Sequence, residues 1–309
     1  MTMYLSCLLI NVGDNPDRPR PGRLWLRNRY HVHQRLAMAF PSDPRIKRAS
    51  DYVKPYNPAE FPFQTPGDEA MNGKADVSEQ RTDGQGFLFR VDHRAGPGAS
   101  STVILVQSAK WPDWNYAFGL SPGATDPATG RPVGNAGCLL ADQPKVRFLN
   151  LALDGKQGDG GFPPAVRPGV ETLNITLGEG ETLAFRLSAN PTRRLANGPF
   201  AGSRVGVGKG APAILAWLSQ KGVEGGFDIV FEKGDDGWDP NWRVEPGMLH
   251  AWKGAQDENA GKKISLFYAN IDGRLRITNP AQFRETMVKG IGPAKAFGFG
   301  LLSLARLRS

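Results

Sequence analysis

Hydrophobic and polar residues follow two spacings along this chain, and the second half shows them most clearly. Thr182-Leu183-Ala184-Phe185-Arg186-Leu187 reads as a strand, and Pro212 to Lys221 reads as a helix that stops at Gly222, with Pro212 near its start as a fixed φ favours. Gly226-Phe227-Asp228-Ile229-Val230-Phe231 is a further strand. Ile264 to Ile277 is strand again, broken by the tight-turn pair Asp272-Gly273. A second helix follows, capped by Asn279 and opened by Pro280, with Phe283 and Met287 on one face and Gly290 at its end. Leu301 to Leu304 closes the series as a strand.

Strand, helix, two strands, helix, strand is the split βαβ order of a ferredoxin-like domain, in which helices cover one face of an antiparallel sheet. The first half repeats it more loosely. Tyr4 to Val12, Phe87 to Val91, Thr102 to Gln107 and Leu173 to Leu177 are its strands, one helix runs from about Arg29 to Phe40, and no second helix stands out. Residues 42 to 85 and 120 to 170 are rich in Gly, Pro, Asp and Lys without sustained periodicity, and are expected to be long loops. The expected architecture is therefore α+β, two tandem ferredoxin-like (RRM-like) domains, 1–178 and 179–309, joined at Gly178-Glu179-Gly180.

Length allows each of two domains to bury its own core. Composition adds a partner class: 38 Lys+Arg against 30 Asp+Glu give a net charge of +8, which favours phosphate or another anionic surface. The two cysteines, Cys7 and Cys138, form no CxxC pair, so neither a zinc site nor a disulfide framework is expected, and both read as core thiols. The apolar run Tyr4 to Val12 is too short to span a bilayer and lacks a basic flank, so a cytoplasmic protein with no membrane partner is expected. No compact set of His with Asp, Glu or Cys at ligand spacing appears, which argues against a zinc hydrolase or two-metal nuclease. No cofactor or metal is expected, and Gly202-Ser203 is not a nucleophile elbow.

Candidate chemistry lies on the first helix. Val32, Leu36 and Phe40 share its apolar face, while Tyr30 and His33, three apart, share a flank; at roughly 100° per residue His31 points about 200° away from His33. RNA carries its own nucleophile, the 2′-hydroxyl, so cutting it requires in-line geometry, proton transfer and charge stabilisation but no metal. A histidine can move the proton, because its ordinary pKa is near 6.5, and a neighbouring tyrosine hydroxyl can orient the phosphate. Most histidines on surface helices are simply solvated, and His31, His93 and His250 keep that reading.

Two other segments point to an anionic polymer. Gly290-Ile291-Gly292-Pro293-Ala294-Lys295-Ala296-Phe297-Gly298-Phe299-Gly300 places Gly290, Gly292, Gly298, Gly300 and Lys295 in one loop, where side-chain-free backbone can approach phosphates; packing alone is the plain alternative. It is neither a Walker A loop nor a dinucleotide fingerprint. Five arginines lie between Arg18 and Arg29, leading into the helix that also carries Arg35, and Arg186, Arg193, Arg194, Arg204 and Lys209 form a second basic set. Scattered solvated arginines are the default reading of both sets.

Met3-Tyr4-Leu5-Ser6, Tyr30-x-x-His33-Gln34, Val106-Gln107-Ser108, Phe185-Arg186-Leu187-Ser188-Ala189-Asn190-Pro191, Ala216-Trp217-Leu218 and the glycine segment through Leu304 occur in an order that resembles the CasE family of CRISPR repeat-processing endoribonucleases. The glycine segment and the FRLxANP stretch are the specific parts. The resemblance implies tandem ferredoxin-like domains and binding of a CRISPR repeat stem-loop. It also implies one cut at the 3′ base of the stem by His33 with Tyr30 as helper, a 2′,3′-cyclic phosphate product, and a product retained among the other subunits of a type I-E Cascade. The Arg- and Pro-rich stretch before the helix and the two long loops depart from compact family members. A non-catalytic RNA-binding subunit of a ribonucleoprotein is the competing expectation, and a basic scaffold for protein partners alone is a third.

Overall fold

A computed structural model describes residues 2–10, 25–40, 86–118, 144–154, 170–252 and 263–307, apart from a few positions within those ranges. The Arg-rich approach to the first helix before residue 25, most of both long loops, and Cys138 lie outside the described residues. Cys7 is a free, half-buried thiol.

The first sheet holds β1 (Thr2–Ile10), β2 (Phe87–Gly96), β3 (Ala99–Ser108), β4 (Lys145–Leu153) and β5 (Thr172–Leu177), in the order β2-β3-β1-β4-β5. All its pairs are antiparallel except β4 with β5. Helix α1 (Arg29–Ala37) packs Val32 and Leu36, one turn apart, against Leu8, Ile10, Phe87 and Phe89. The second helix that the sequence did not reveal is α2 (Trp114–Phe118), only five residues long. β4 corrects the sequence reading, which had a loop there. Its Arg147 is bonded to Glu171 and its Asn150 to Asn174, so the neighbouring chain satisfies polar groups that in the sequence look solvated.

The second sheet contains β6 (Thr182–Ala189), β9 (Phe227–Val230), β10 (Arg243–Trp252), β11 (Lys263–Ile277) and β12 (Leu302–Arg306); β10-β11-β6-β12 are consecutive neighbours and β9 also pairs with β11. Helices α3 (Ala211–Gly225) and α4 (Pro280–Lys289) join β6 to β9 and β11 to β12, completing the expected ferredoxin-like order. A separate ladder of β7 (Thr192–Arg194) and β8 (Arg204–Gly206) projects after β6. Asn279 caps α4 as expected, accepting from the Gln282 amide, and Phe283 and Met287 are buried.

Three local expectations fail for packing reasons. α3 runs through Gly222 and ends at Gly226 (φ 76°), because Gly222 serves close approach: a Cβ there would lie 2.3 Å from the carbonyl oxygen of Phe227. Asp272-Gly273 is no turn, since β11 is unbroken and Gly273 leaves room for the Trp242 ring, 2.6 Å from where its Cβ would stand. β10 was missed because Pro246 and Gly247 interrupt it; proline is tolerated on a sheet-edge strand, and β10 is at the edge.

The two halves also share apolar packing. One apolar cluster joins Met3, Leu149, Leu151 and Leu177 of the first sheet to Phe185, Leu187, Trp217, Ile271 and Ile291, and a second lies under α1. Polar bonds cross the same junction. Gln107 Nε2 donates to the Met287 carbonyl (2.8 Å), Asn28 Nδ2 to that of Trp252 (2.7 Å), and Arg90 Nη1 to those of Arg186 (2.9 Å) and Leu301 (3.3 Å). Sheet membership changes between Leu177 and Thr182, and we place the division between the halves, 1–178 and 179–309, in that link. No described helix is long and apolar enough to cross a membrane.

Candidate nucleic-acid interface

Packing of α1 against the glycine-rich loop brings together motifs from opposite ends of the chain. The Tyr30 ring lies 6.3 Å from Phe297 in the single-turn helix Lys295–Phe297, and His33 stacks on Phe87 at 5.2 Å and Phe89 at 6.3 Å. Phe89 in turn presses on Gly298, where a Cβ would lie 2.9 Å from the ring. Tyr30 therefore packs on the loop and His33 on the β2 rings next to it, while His31 turns away toward Trp252, its ring edge-on at 6.5 Å. The divergence of the two histidines follows from helical geometry alone. Burial of His33, only 7% exposed, does not.

The glycines of the loop also answer to internal demands. Gly290, Gly292, Gly298 and Gly300 all have positive φ. The amides of Gly290, Gly298 and Gly300 donate to Thr286, Lys295 and Ser188. Gly292 lies under the Trp217 ring, 3.1 Å from where its Cβ would be. Lys295 donates to the Lys289 carbonyl at the C-terminus of α4, where a cation suits the helix dipole. The stretch of the loop from Gly292 to Phe297 is half-exposed.

Trp217 has a second role, because its indole N–H donates to the Thr192 carbonyl (3.2 Å) where β7 begins. A single buried ring supports both the glycine loop and the arginine hairpin. On that hairpin Arg193, Arg194 and Arg204 are exposed, Arg194 pairs directly across from Arg204, and exposed Lys209 follows just before α3. Like charges directly opposite on a ladder are destabilising, and a bound polyanion would relieve them. The FRLxANP stretch is the joint of this assembly: Phe185 and Leu187 are core, and Asn190 Nδ2 donates to the Phe267 carbonyl. Arg186, instead of facing an outside partner, forms an ion pair with Asp272 at 2.6 Å, and this raises its pKa.

Two arginines named from sequence are not presented to a ligand. Arg35 is 6% exposed with Nη1 bonded to the Ala117 carbonyl (2.9 Å), because its place on α1 faces α2. Arg29 is turned into the junction of the halves. Burial pushes its pKa down to about 10, against the pull of Tyr268 and Asp92, and its buried Nη1 has no hydrogen-bond partner among the described residues.

A family described as CRISPR associated protein matches residues 157–306. The CRISPR-associated endoribonuclease Cse3 of Thermus thermophilus is 34% identical over 146 residues, which are 47% of this chain and 60% of that protein. A solved structure of CRISPR endoribonuclease Cse3 bound to 19 nt RNA matches over 99% of this chain and 100% of that one, with 26% identity and a TM-score of 0.55. The chain is thus similar to Cse3 proteins in sequence over about half its length and in fold throughout. Thermus thermophilus Cse3 bound to an RNA representing a pre-cleavage complex, 24% identical with a TM-score of 0.53, shares its fold. The sequence alignment spans about three fifths of the curated relative's length.

Within this Cse3-like fold the sequence reading missed the charged group around Arg29. Arg90 binds Asp92 through two bonds of 2.8 and 2.9 Å, and His93 lies beside Arg29 and Asp92. No spacing in the sequence couples β2 to the start of α1, so no local signal was available. Partial burial lowers the pKa of His31, and partial burial followed by the Arg29 charge lowers that of His93, with Asp92 opposing. The unfolded chain therefore takes up these protons first as pH falls through about 6.5, and stability drops between roughly pH 7 and the depressed native values. Urea midpoints at pH 7 and 5.5 check this: the midpoint falls in the native chain and falls less in a His31→Gln/His93→Gln variant.

Proposed function

We propose that this protein is a metal-independent endoribonuclease that binds a CRISPR repeat stem-loop and cuts the precursor RNA once, at the 3′ base of the stem. The observation that carries this reading is the packing of the Tyr30–His33 flank of α1 against the loop bearing Lys295. The named activity of the Thermus relative and the RNA in the solved Cse3 structure support it.

In the proposed step the 2′-oxygen attacks the adjacent phosphorus, the 2′-O–P bond forms and the P–O5′ bond breaks. One proton leaves the 2′-hydroxyl and one reaches the 5′-oxygen, giving a 2′,3′-cyclic phosphate and a 5′-hydroxyl with no water consumed. His33 handles one or both protons, Tyr30 orients the phosphate, and Lys295 with the Gly292 segment steadies its charge. To reach RNA the His33 ring must leave Phe87 and Phe89, forfeiting stacking worth about 0.5–1.5 kcal/mol, well within what substrate contacts supply. The arginine hairpin grips the stem. The cut RNA stays bound, and the protein holds it among the other Cascade subunits.

Burial of His33 favours one competing reading, an RNA-binding subunit without catalysis. A gel with protein in excess over stem-loop RNA in EDTA separates the two. The expected product is a single cut ending in a cyclic phosphate. Inhibition by EDTA would count against metal-independent chemistry, and tight binding with no product at any excess would establish the competitor. In the same system Arg193→Ala, Arg194→Ala and Arg204→Ala are each expected to lower the log–log salt dependence of binding by about 0.7–0.9. An unchanged slope removes that arginine from the interface.

A further inference from the structure

We propose that Trp252 is a stacking platform for an unpaired nucleobase on the His31 side of α1, making it a positioning residue for the RNA strand that crosses this helix. This rests on the reading of α1 as the cleaving helix. β10 is an edge strand whose outer face shows Met248, His250 and Trp252; Met248 is 48% and Trp252 42% exposed. Their cross-strand partners on β11 are Phe267, Ser265 and Lys263.

These six side chains form one strip that carries two cationic or protonatable groups and no carboxylate. Alternate residues on a strand stand roughly 7 Å apart, room for one unstacked base per exposed side chain. At one end of the strip Gly206 of the arginine hairpin lies against Phe267, its ideal Cβ 3.7 Å from that ring. At the other, Trp252 meets α1: its carbonyl accepts from Asn28 Nδ2 at 2.7 Å and its ring lies 6.5 Å from that of His31. The strip thus spans the gap between the element that would hold the stem and the helix that would cut beside it. Midway, His250 Nδ1 is tied to Ser265 Oγ at 3.0 Å.

Chemistry favours RNA over a protein partner on this strip. Interface cores of proteins exclude charge, whereas here the two large exposed apolar groups are separated by His250 and followed by Lys263. An indole face beside a lysine, on a strip that ends at a guanidinium hairpin, is an arrangement that receives single-stranded bases. Anchoring of the Trp252 backbone to Asn28, immediately before α1, fixes the ring relative to the helix, so a base held on it fixes the neighbouring phosphate as well.

The test uses the full chain and a repeat stem-loop with 2-aminopurine at the unpaired position next to the cut. Binding is expected to quench the probe, and Trp252→Ala to abolish the quenching and slow single-turnover cleavage by about 5- to 100-fold, the range for one lost base stack. Trp252→Phe restores most of both. An abasic RNA at that position loses a similar factor with native protein, and the two losses do not add. Unchanged quenching and rate in Trp252→Ala, or fully additive losses, would overturn the proposal. Melting curves identify a variant that fails to fold, and Trp252→Phe then carries the comparison with abasic RNA. Absence of cleavage by native protein would instead defeat the reading of α1, while the probe still reports stacking.

Discussion

Replacing His33 with alanine is expected to lower single-turnover cleavage of a repeat stem-loop by roughly 100- to 10,000-fold, with binding little changed. Among the described residues the imidazole joins Tyr30 as a proton-transferring group on this flank of α1, and an imidazole is the side chain suited to proton transfer near neutral pH. Removing the ring also leaves space against Phe87, so His33→Gln, which keeps most of the volume, should be melted and assayed in parallel. His31→Ala reports whether the other imidazole of α1, beside Trp252, contributes as well. A large loss in His31→Ala with activity kept in His33→Ala would reverse the assignment.

Arg90→Ala has the largest expected effect on stability, about 3–5 kcal/mol, because it strands Asp92 in a buried site. The two side chains are 4% and 11% exposed, and the same guanidinium holds the carbonyls of Arg186 and Leu301 from the other half. For a chain of this size the melting temperature should fall by roughly 6–20 °C. The double variant Arg90→Ala/Asp92→Ala is expected to lose less than the sum of the single losses, because no unpaired carboxylate remains. A loss below about 1 kcal/mol in Arg90→Ala would mean that the junction of the halves rests on its shared apolar cluster and its other polar bonds.

Much of the candidate site was legible because helical spacing and turn chemistry are local. A spacing of three from Tyr30 to His33 places them on one flank whatever the tertiary structure, and Asn279, Pro280 and Gly290 mark α4 through their backbone preferences. The arginine positions were legible as charge but not as geometry. Arg35 looked like Arg204 in the sequence, yet one faces the Ala117 carbonyl and the other stands exposed on a ladder. Gly222 and Gly273 show the same limit: each reads as punctuation, and each is there because Phe227 or Trp242 presses on it.

The amino-acid sequence by itself determined the order of the main strands and helices, the facing of Tyr30 and His33, and a basic surface suited to RNA, since all three depend on near-neighbour spacing or summed charge. Only the tertiary structure decided that the halves share one apolar cluster, that Trp217 supports both the glycine loop and the hairpin, and that Trp252 stands beside α1. Those relations join residues far apart in the chain, and no local pattern can encode a contact whose partner is set by how two sheets pack.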